Sequence, residues 1–329
     1  MGFISAGSPC QGFSTANQNK DSIKSIKNCS LVASVATAID VYRPLFALLE
    51  NVPGIATTVD RSTGKENVFS QLLCCLVGMG YQCQQYTMDS WSFGDPQSRT
   101  RLFLSIAAAG QALPDRPPRS HEHPAKTWDR ALFKAPNGQK FGGREMDGPC
   151  PFPCATFRQR LGDLPRLGNN HVGICIPFPD HRNSRIEGPE TRTLISHVPK
   201  HAEKRTWRFA LNTGVMPKQF DLWKMNTKKG RPHCRSWSRM NMDHLCKTIT
   251  TAITPQCAFT GTWIHPEEDR LITVMEARRA QGLPDDEILI GNASQAFKIV
   301  GNGVARSVAL VWGLAIRDAY LGEGHILRR

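Results

Sequence analysis

Two hydrophobic periods alternate along the first hundred residues, and the changes of period mark the elements. Phe3-Ile4-Ser5-Ala6 is a short apolar run that predicts a buried strand. Leu31, Val35, Ala38, Ile39 and Tyr42 recur at helical spacing, and Arg43-Pro44 ends that helix. Leu45 to Leu49 is apolar without alternation, the pattern of a strand buried on both faces of a parallel sheet. It delivers Glu50-Asn51 to the strand's carboxyl end, where α/β sheets place ligands. Thr63 and Glu66 are spaced as a capping box for a helix with Val68, Leu72, Leu76 and Met79 on one face, stopped by Gly78 and Gly80. Tyr81–Met88 alternates, and Arg101–Ile106 reads as a further strand. Strands alternating with helices predict a doubly wound α/β sheet. The polar stretch Thr15–Lys27 predicts a mobile loop able to close over a substrate.

The periodicity disappears near Gln111. From there to about residue 245 the chain is rich in Pro, Gly, Arg and His, and Trp128, Trp207, Trp223 and Trp237 offer it core groups. Order returns with the capping box Thr273-Val274-Met275-Glu276, whose helix stops at Gly282 before Pro284, and with a last helix carrying Val304, Val308, Val311, Trp312 and Ala315. The organisation predicted is a sheet domain over 1–110, an irregular domain over 111–270, and a segment over 271–329 that packs back on the first.

Charge follows the same division. The net charge is +13. Residues 111–245 hold 24 Lys and Arg against 12 Asp and Glu, and the rest holds 17 against 16. An excess confined to one segment is the footprint of a surface facing a polyanion. Eleven cysteines without framework spacing point to a reducing compartment. Cys150/Cys154, His171/Cys175 and His233-Cys234 form no pair of close CxxC knuckles, so no metal site is expected. The N-terminus lacks the basic region of a signal peptide, and no window approaches a ~20-residue apolar span, so no membrane partner is expected.

The candidate chemistry begins at Gly7-Ser8-Pro9-Cys10-Gln11-Gly12-Phe13-Ser14. Glycines flanking a Pro-Cys pair make a tight turn that lifts one thiol off the end of the first strand, as a nucleophile requires. This loop resembles the catalytic loop of the cytosine-5 DNA methyltransferases. Glu50-Asn51-Val52, Gln97-Ser98-Arg99-Thr100-Arg101 and Gly301-Asn302-Gly303-Val304 match further signatures of that family in the family's order, and Lys247–Thr251 resembles its segment bracing the recognition domain.

The resemblance implies a Rossmann-like, S-adenosylmethionine-dependent methyltransferase sheet with a smaller, irregular target-recognition domain. It implies methyl transfer to C5 of a cytosine flipped out of double-stranded DNA, through a covalent adduct at C6. Cys10 would be the nucleophile, Glu50 the acid at N3, and Arg101 the clamp on the cytosine carbonyl. Arg99 and Asn51 would order the site. Standing two apart on an extended segment, Arg99 and Arg101 are expected to point the same way and to favour the Cys10 thiolate. Glu50 is expected in a mostly apolar pocket. Pro9, Leu31, Asn302, Gly303 and Val304 match positions lining the methionine part of the cofactor, although Gly303 and Ala305 replace the family's commoner residues.

The family's glycine-rich strand–turn–helix, which precedes the Cys loop, has no counterpart here. The chain is therefore expected to be the C-terminal two-thirds of a methyltransferase, with an N-terminal half or a second subunit completing the cofactor site. The spacing of the last segment looks fungal, which implies a nuclear enzyme. Two other readings stand beside this one: a tRNA cytosine-5 methyltransferase, and a catalytically inactive DNA-binding or regulatory fragment.

Overall fold

The computed structural model describes residues 2–10, 12–14, 19, 22–57, 67–124, 133–134, 137–168, 175, 177–183, 188–200, 206–220, 236–257 and 261–322. Among them the elements run in order β1 (Phe3–Gly7), α1 (Ile23–Ser30), α2 (Ala33–Tyr42), β2 (Phe46–Asn51), α3 (Gly54–Thr57), α4 (Val68–Gly78) and β3 (Gln82–Asp89). Next come β4 (Gln97–Ser98), β5 (Thr100–Ala107), β6 (Phe133–Lys134), β7 (Lys140–Phe141), α5 (Phe157–Leu161), α6 (Pro189–His197) and α7 (Trp207–Asn212). The last are β8 (Cys246–Lys247), α8 (Val274–Ala280), α9 (Ala293–Asn302) and α10 (Arg306–Leu321). They form two compact units: Met1–Phe93 with Thr100–Pro153 and Ser307–Arg329, and Gly94–Arg99 with Cys154–Arg306.

The first unit is built on a four-stranded sheet in the order β1-β2-β5-β3. β1 and β2 are parallel, as the unbroken apolar runs predict. β5 is antiparallel to both of its neighbours, so the sheet is mixed rather than wholly parallel. The cause is the connection. Parallel neighbours need a crossover of a dozen or more residues, and only residues 90–99 separate β3 from β5. Val32, Val35 and Ile39 of the α2 region and Phe69, Leu72 and Leu76 of α4 join Leu49, Leu104 and Ile106 of the sheet in one core. In α10, the Trp312 ring lies 5.7 Å from the rings of both Tyr86 and Phe103, and Tyr320 meets Phe46 edge-on.

Three local expectations change. The predicted loop over Thr15–Lys27 contains the first turns of α1, started by Ser22, whose hydroxyl accepts the Ser25 N–H at 3.3 Å. Residues 15–18, 20 and 21 lie outside the described residues. α2 begins at Ala33, leaving Leu31 and Tyr42 exposed at its ends. α4 begins at Val68 and is capped by Asn67, whose side chain accepts the Ser70 N–H at 2.9 Å; Thr63 and Glu66 are outside the described residues.

The second unit has its own core, which holds Trp207, Trp237 and Trp263 together with residues of α5 to α9. Trp128 and Trp223 are not described. The predicted capping box is present: Thr273 accepts the Glu276 N–H at 3.2 Å, and Glu276 accepts the Thr273 N–H at 2.8 Å. Arg270, buried between Glu268 and Glu276, adds an ion cluster beneath that helix end. Among the described residues no group of three or more His, Cys, Asp or Glu is placed to hold a metal, and no single helix is long and apolar enough to cross a membrane.

Candidate active site

The Cys10 loop leaves β1 at Gly7, which lies opposite Glu50 in the parallel register with β2. Its shape is set by three restraints. Phe13 N–H and Ser14 N–H both donate to the Cys10 carbonyl, at 3.0 and 2.9 Å, closing the turn. Gly12 seats against α1: a Cβ there would overlap Cys29 Sγ and come within 2.9 Å of the Ser25 carbonyl. Phe13 is 2% exposed, and its carbonyl lies where a Cβ on Gly54 would be. The Gly-Phe pair is thus required by close backbone approach as much as by the turn. Cys10 is half-buried with a free thiol, and Gln11 is outside the described residues.

Asn51 ties the two strand ends together. Wholly buried, it donates from Nδ2 to the Ser8 hydroxyl at 2.8 Å and to the Ser8 carbonyl at 3.2 Å, and its Oδ1 accepts the Val52 N–H at 2.8 Å. Ser8 was not singled out in the sequence; a hydroxyl just after a strand-ending glycine is its only local sign.

Glu50 and Arg101 form an ion pair, Nε to Oε1 2.7 Å, with each side chain 14% exposed. Glu50 pairs with Phe103 across β2 and β5, so Arg101 is its diagonal neighbour on the same face. This corrects the expectation of an apolar pocket for Glu50: a half-enclosed carboxylate without a cation beside it would be costly, and Arg101 supplies the cation.

Arg99 departs further. It is 3% exposed and donates to the carbonyls of Ile249 (3.1 Å), Gly301 (3.1 Å) and Gly303 (2.7 Å), all in the second unit. Arg99 and Arg101 therefore do not share a face. The Arg99 N–H bonds back to the Gln97 carbonyl at 3.1 Å, a tight turn that breaks the two-residue period on which the expectation rested.

Gln97 works beside Arg99. Fully buried, it accepts the Ile249 N–H at 2.8 Å and donates to the Ala280 carbonyl and to Gln281. β4 pairs with β8, so the Gln-x-Arg segment braces Lys247–Thr251 within the second unit.

Among the residues matched to the cofactor, Pro9 is half-buried and Leu31 is 46% exposed at the end of α1, both in the first unit. Asn302, Gly303 and Val304 end α9 in the second. The Gly303 carbonyl is already engaged by Arg99 and, at 2.6 Å, by Gln281.

The basic segment is only partly a charged surface. Arg239 is buried on the carbonyls of Ile195, Val198, His265 and Glu268 and on Asp269, and Arg144 is paired to buried Asp89. Arg158, Arg166, Arg182, Arg192, Lys200 and Lys218 are exposed.

The family model for C-5 cytosine-specific DNA methylases matches residues 1–316. The chain belongs to this family. Among its relatives, this methylase chain is 28% identical over 343 residues to DNA (cytosine-5)-methyltransferase 1B of Oryza sativa subsp. japonica, covering 96% of the chain and 22% of the relative. It is 27% identical over 385 residues to DNA (cytosine-5)-methyltransferase 1 of Gallus gallus, covering 95% and 24%. The chain thus spans about a quarter or less of the length of these curated relatives. Its fold matches the crystal structure of a prophage-encoded E. coli protein described as a DNA modification methyltransferase, with TM-score 0.54, 19% identity, and coverage of 98% of this chain and 80% of that one. The methylase sheet is accordingly of the Rossmann-like methyltransferase type.

Proposed function

We propose that the chain is the catalytic region of a DNA (cytosine-5) methyltransferase, acting on double-stranded DNA in the nucleus. The observation that carries the reading is the Glu50–Arg101 pair standing at the strand end to which Asn51 ties the Cys10 loop.

Carbon 5 of cytosine is a weak nucleophile until a thiolate adds at C6. Cys10 Sγ forms that bond, Glu50 delivers a proton to N3, and the ring becomes an enamine nucleophilic at C5. The Glu50–Arg101 pair suits a cytosine edge. On cytosine binding Arg101 turns from Glu50 to donate to the carbonyl oxygen at position 2, while the Glu50 carboxyl, having taken up a proton on losing that cation, donates it to N3 and accepts from the exocyclic amine. Asn51 is a positioning residue that keeps Ser8, and so the loop, in register. Arg99 and Gln97 act at a distance by bracing the second unit. The exposed basic residues of 111–270 hold phosphates, so affinity falls steeply with salt.

S-Adenosylmethionine supplies the electrophilic methyl when bound. Of the residues matched to its methionine end, Pro9 and Leu31 of the first unit would offer apolar contacts, and Asn302, Gly303 and Val304 are the matched positions of the second. The carboxylates that end strands, Glu50 and Asp89, are both ion-paired, so among the described residues no free strand-end carboxylate faces ribose hydroxyls. We propose that an N-terminal half or a second subunit supplies the adenosine contacts. The outer edge of β1, unpaired among the described residues, with Phe3 41% exposed, supports that assignment.

The test is covalent capture on a 5-fluorocytosine duplex in the presence of S-adenosylmethionine and the cofactor-binding complement. The native chain forms a complex that survives denaturing electrophoresis, and Cys10→Ser does not. Capture that persists in Cys10→Ser would refute the assignment. Preferential competition by tRNA would move the substrate class to RNA. DNA binding with no calorimetric heat from S-adenosylmethionine, even with the complement present, would make the chain a regulatory DNA-binding protein.

A further inference from the structure

We propose that Asp285–Ile290 is a docking segment for a ubiquitin-like β-grasp domain whose open sheet edge is flanked by basic side chains. Of the large hydrophobic residues described, the two most exposed in the chain stand here, Ile288 at 86% and Ile290 at 83%. One exposed isoleucine is ordinary, but two at i and i+2 present a single apolar face. Leu289 between them turns inward and packs against the core of the second unit. The outward face is therefore held in place by an inward anchor.

The backbone points the same way. Ile288, Leu289 and Ile290 lie outside any helix or strand, and their N–H and C=O groups make no hydrogen bond among the described residues. Unpaired backbone beside an apolar face is a template for strand addition, in which main-chain bonds give affinity and alternate side chains give selectivity. The flanks are fixed. Arg278 donates to the carbonyls of Pro284 (2.6 Å) and Glu287, Arg279 pairs with Asp285 at 2.6 Å, and the Asn292 cap of α9 closes the far side. A segment held in this way loses little further freedom on binding.

Charge selects the occupant. Asp285, Asp286 and Glu287 immediately precede the apolar residues, and Asp286 and Glu287 are exposed and make no ion pair among the described residues. With Asp285 neutralised by Arg279, the two exposed carboxylates of Asp286 and Glu287, on a chain of net charge +13, repel DNA and anionic membranes at this point and attract a basic rim.

The probe is an isotope-labelled small ubiquitin-like modifier domain titrated with the full 329-residue chain and followed by amide chemical shifts. Saturable shifts confined to the domain's basic-flanked edge strand are expected. Ile288→Glu/Ile290→Glu should weaken binding at least about tenfold, and Asp286→Lys/Glu287→Lys about threefold with a loss of salt dependence. Because these side chains are exposed, the variants should melt with the native chain, which separates lost docking from lost folding. Three results overturn the proposal: no edge-strand shifts at ~1 mM, a range where weak contacts still register; equal shifts with the isoleucine variant; or a concentration-dependent dimer that the isoleucine variant abolishes, which would make a second copy the occupant. Docking is independent of methyl transfer, so it stands or falls apart from the capture experiment.

Discussion

Asn51 Nδ2 lies 2.8 Å from Ser8 Oγ, joining the end of β2 to the residue that starts the Cys10 loop. The bond is partly buried and spans 43 residues of sequence, so it transmits the register of the parallel strand pair directly to the loop. Removing the amide would leave the Ser8 hydroxyl and carbonyl without their donor, at a cost of about 1–3 kcal/mol. Asn51→Ala should therefore lower the unfolding midpoint modestly and slow covalent capture by a much larger factor. Capture at the native rate would remove Asn51 from the positioning role.

Glu50 and Arg101 should behave as a unit. Glu50→Gln keeps shape but removes the transferable proton, so adduct formation should slow roughly 10²–10⁴-fold, and the unfolding midpoint should fall somewhat because Arg101 loses its anion. Arg101→Ala leaves a half-enclosed carboxylate alone, so it should lose stability as well as rate. A double-mutant cycle on capture rate checks the coupling; additive effects would show that the two groups act separately.

Gly12 tests the loop's seat on α1. Gly12→Ala drives a methyl into Cys29 Sγ and the Ser25 carbonyl, and overpacking of this kind costs about 1–3 kcal/mol. Adding Cys29→Ala removes only the thiol clash. Thermal unfolding should therefore show partial recovery in the double variant, because the clash with the backbone oxygen remains.

His265 predicts how the second unit responds to acid. Burial, its largest influence, lowers its pKa to about 4. Its Nδ1 accepts the N–H groups of Glu267 (3.2 Å) and Glu268 (2.9 Å), which requires that nitrogen unprotonated. Burial alone would raise Glu276, but the Arg270 charge and hydrogen bonds outweigh it and hold this carboxyl at about 2. Both folded values lie below the unfolded ones, so both contributions are present at neutral pH and lost on acidification. The His265 share goes as pH falls from about 6.5 to about 4, roughly 3 kcal/mol in all, and the Glu276 share between about 4.5 and 2. Urea midpoints taken across pH 4–7 should decline, and His265→Asn should flatten that slope by close to one proton.

Much of the sheet was legible because burial writes itself into the sequence locally. The unbroken run before Glu50 marked β2, alternation marked β3, and the Thr273–Glu276 box marked the start of α8. Where the reading missed, the controlling signal lay elsewhere. Ser22 makes a helix start inside a polar stretch, and a ten-residue link forces β5 to run antiparallel.

By itself the sequence determined the chemistry on offer: a thiol in a glycine-flanked turn, a carboxyl and an amide at a strand end, and paired arginines before another strand. Tertiary structure alone decided their partners. It sent Arg101 to Glu50 and Arg99 to the carbonyls of Ile249, Gly301 and Gly303, although the two arginines are nearly adjacent in the chain. Burial is a property of a residue and its neighbours, so it leaves a periodic trace. The destination of a long polar side chain depends on which distant backbone or charge needs it, and no local pattern records that.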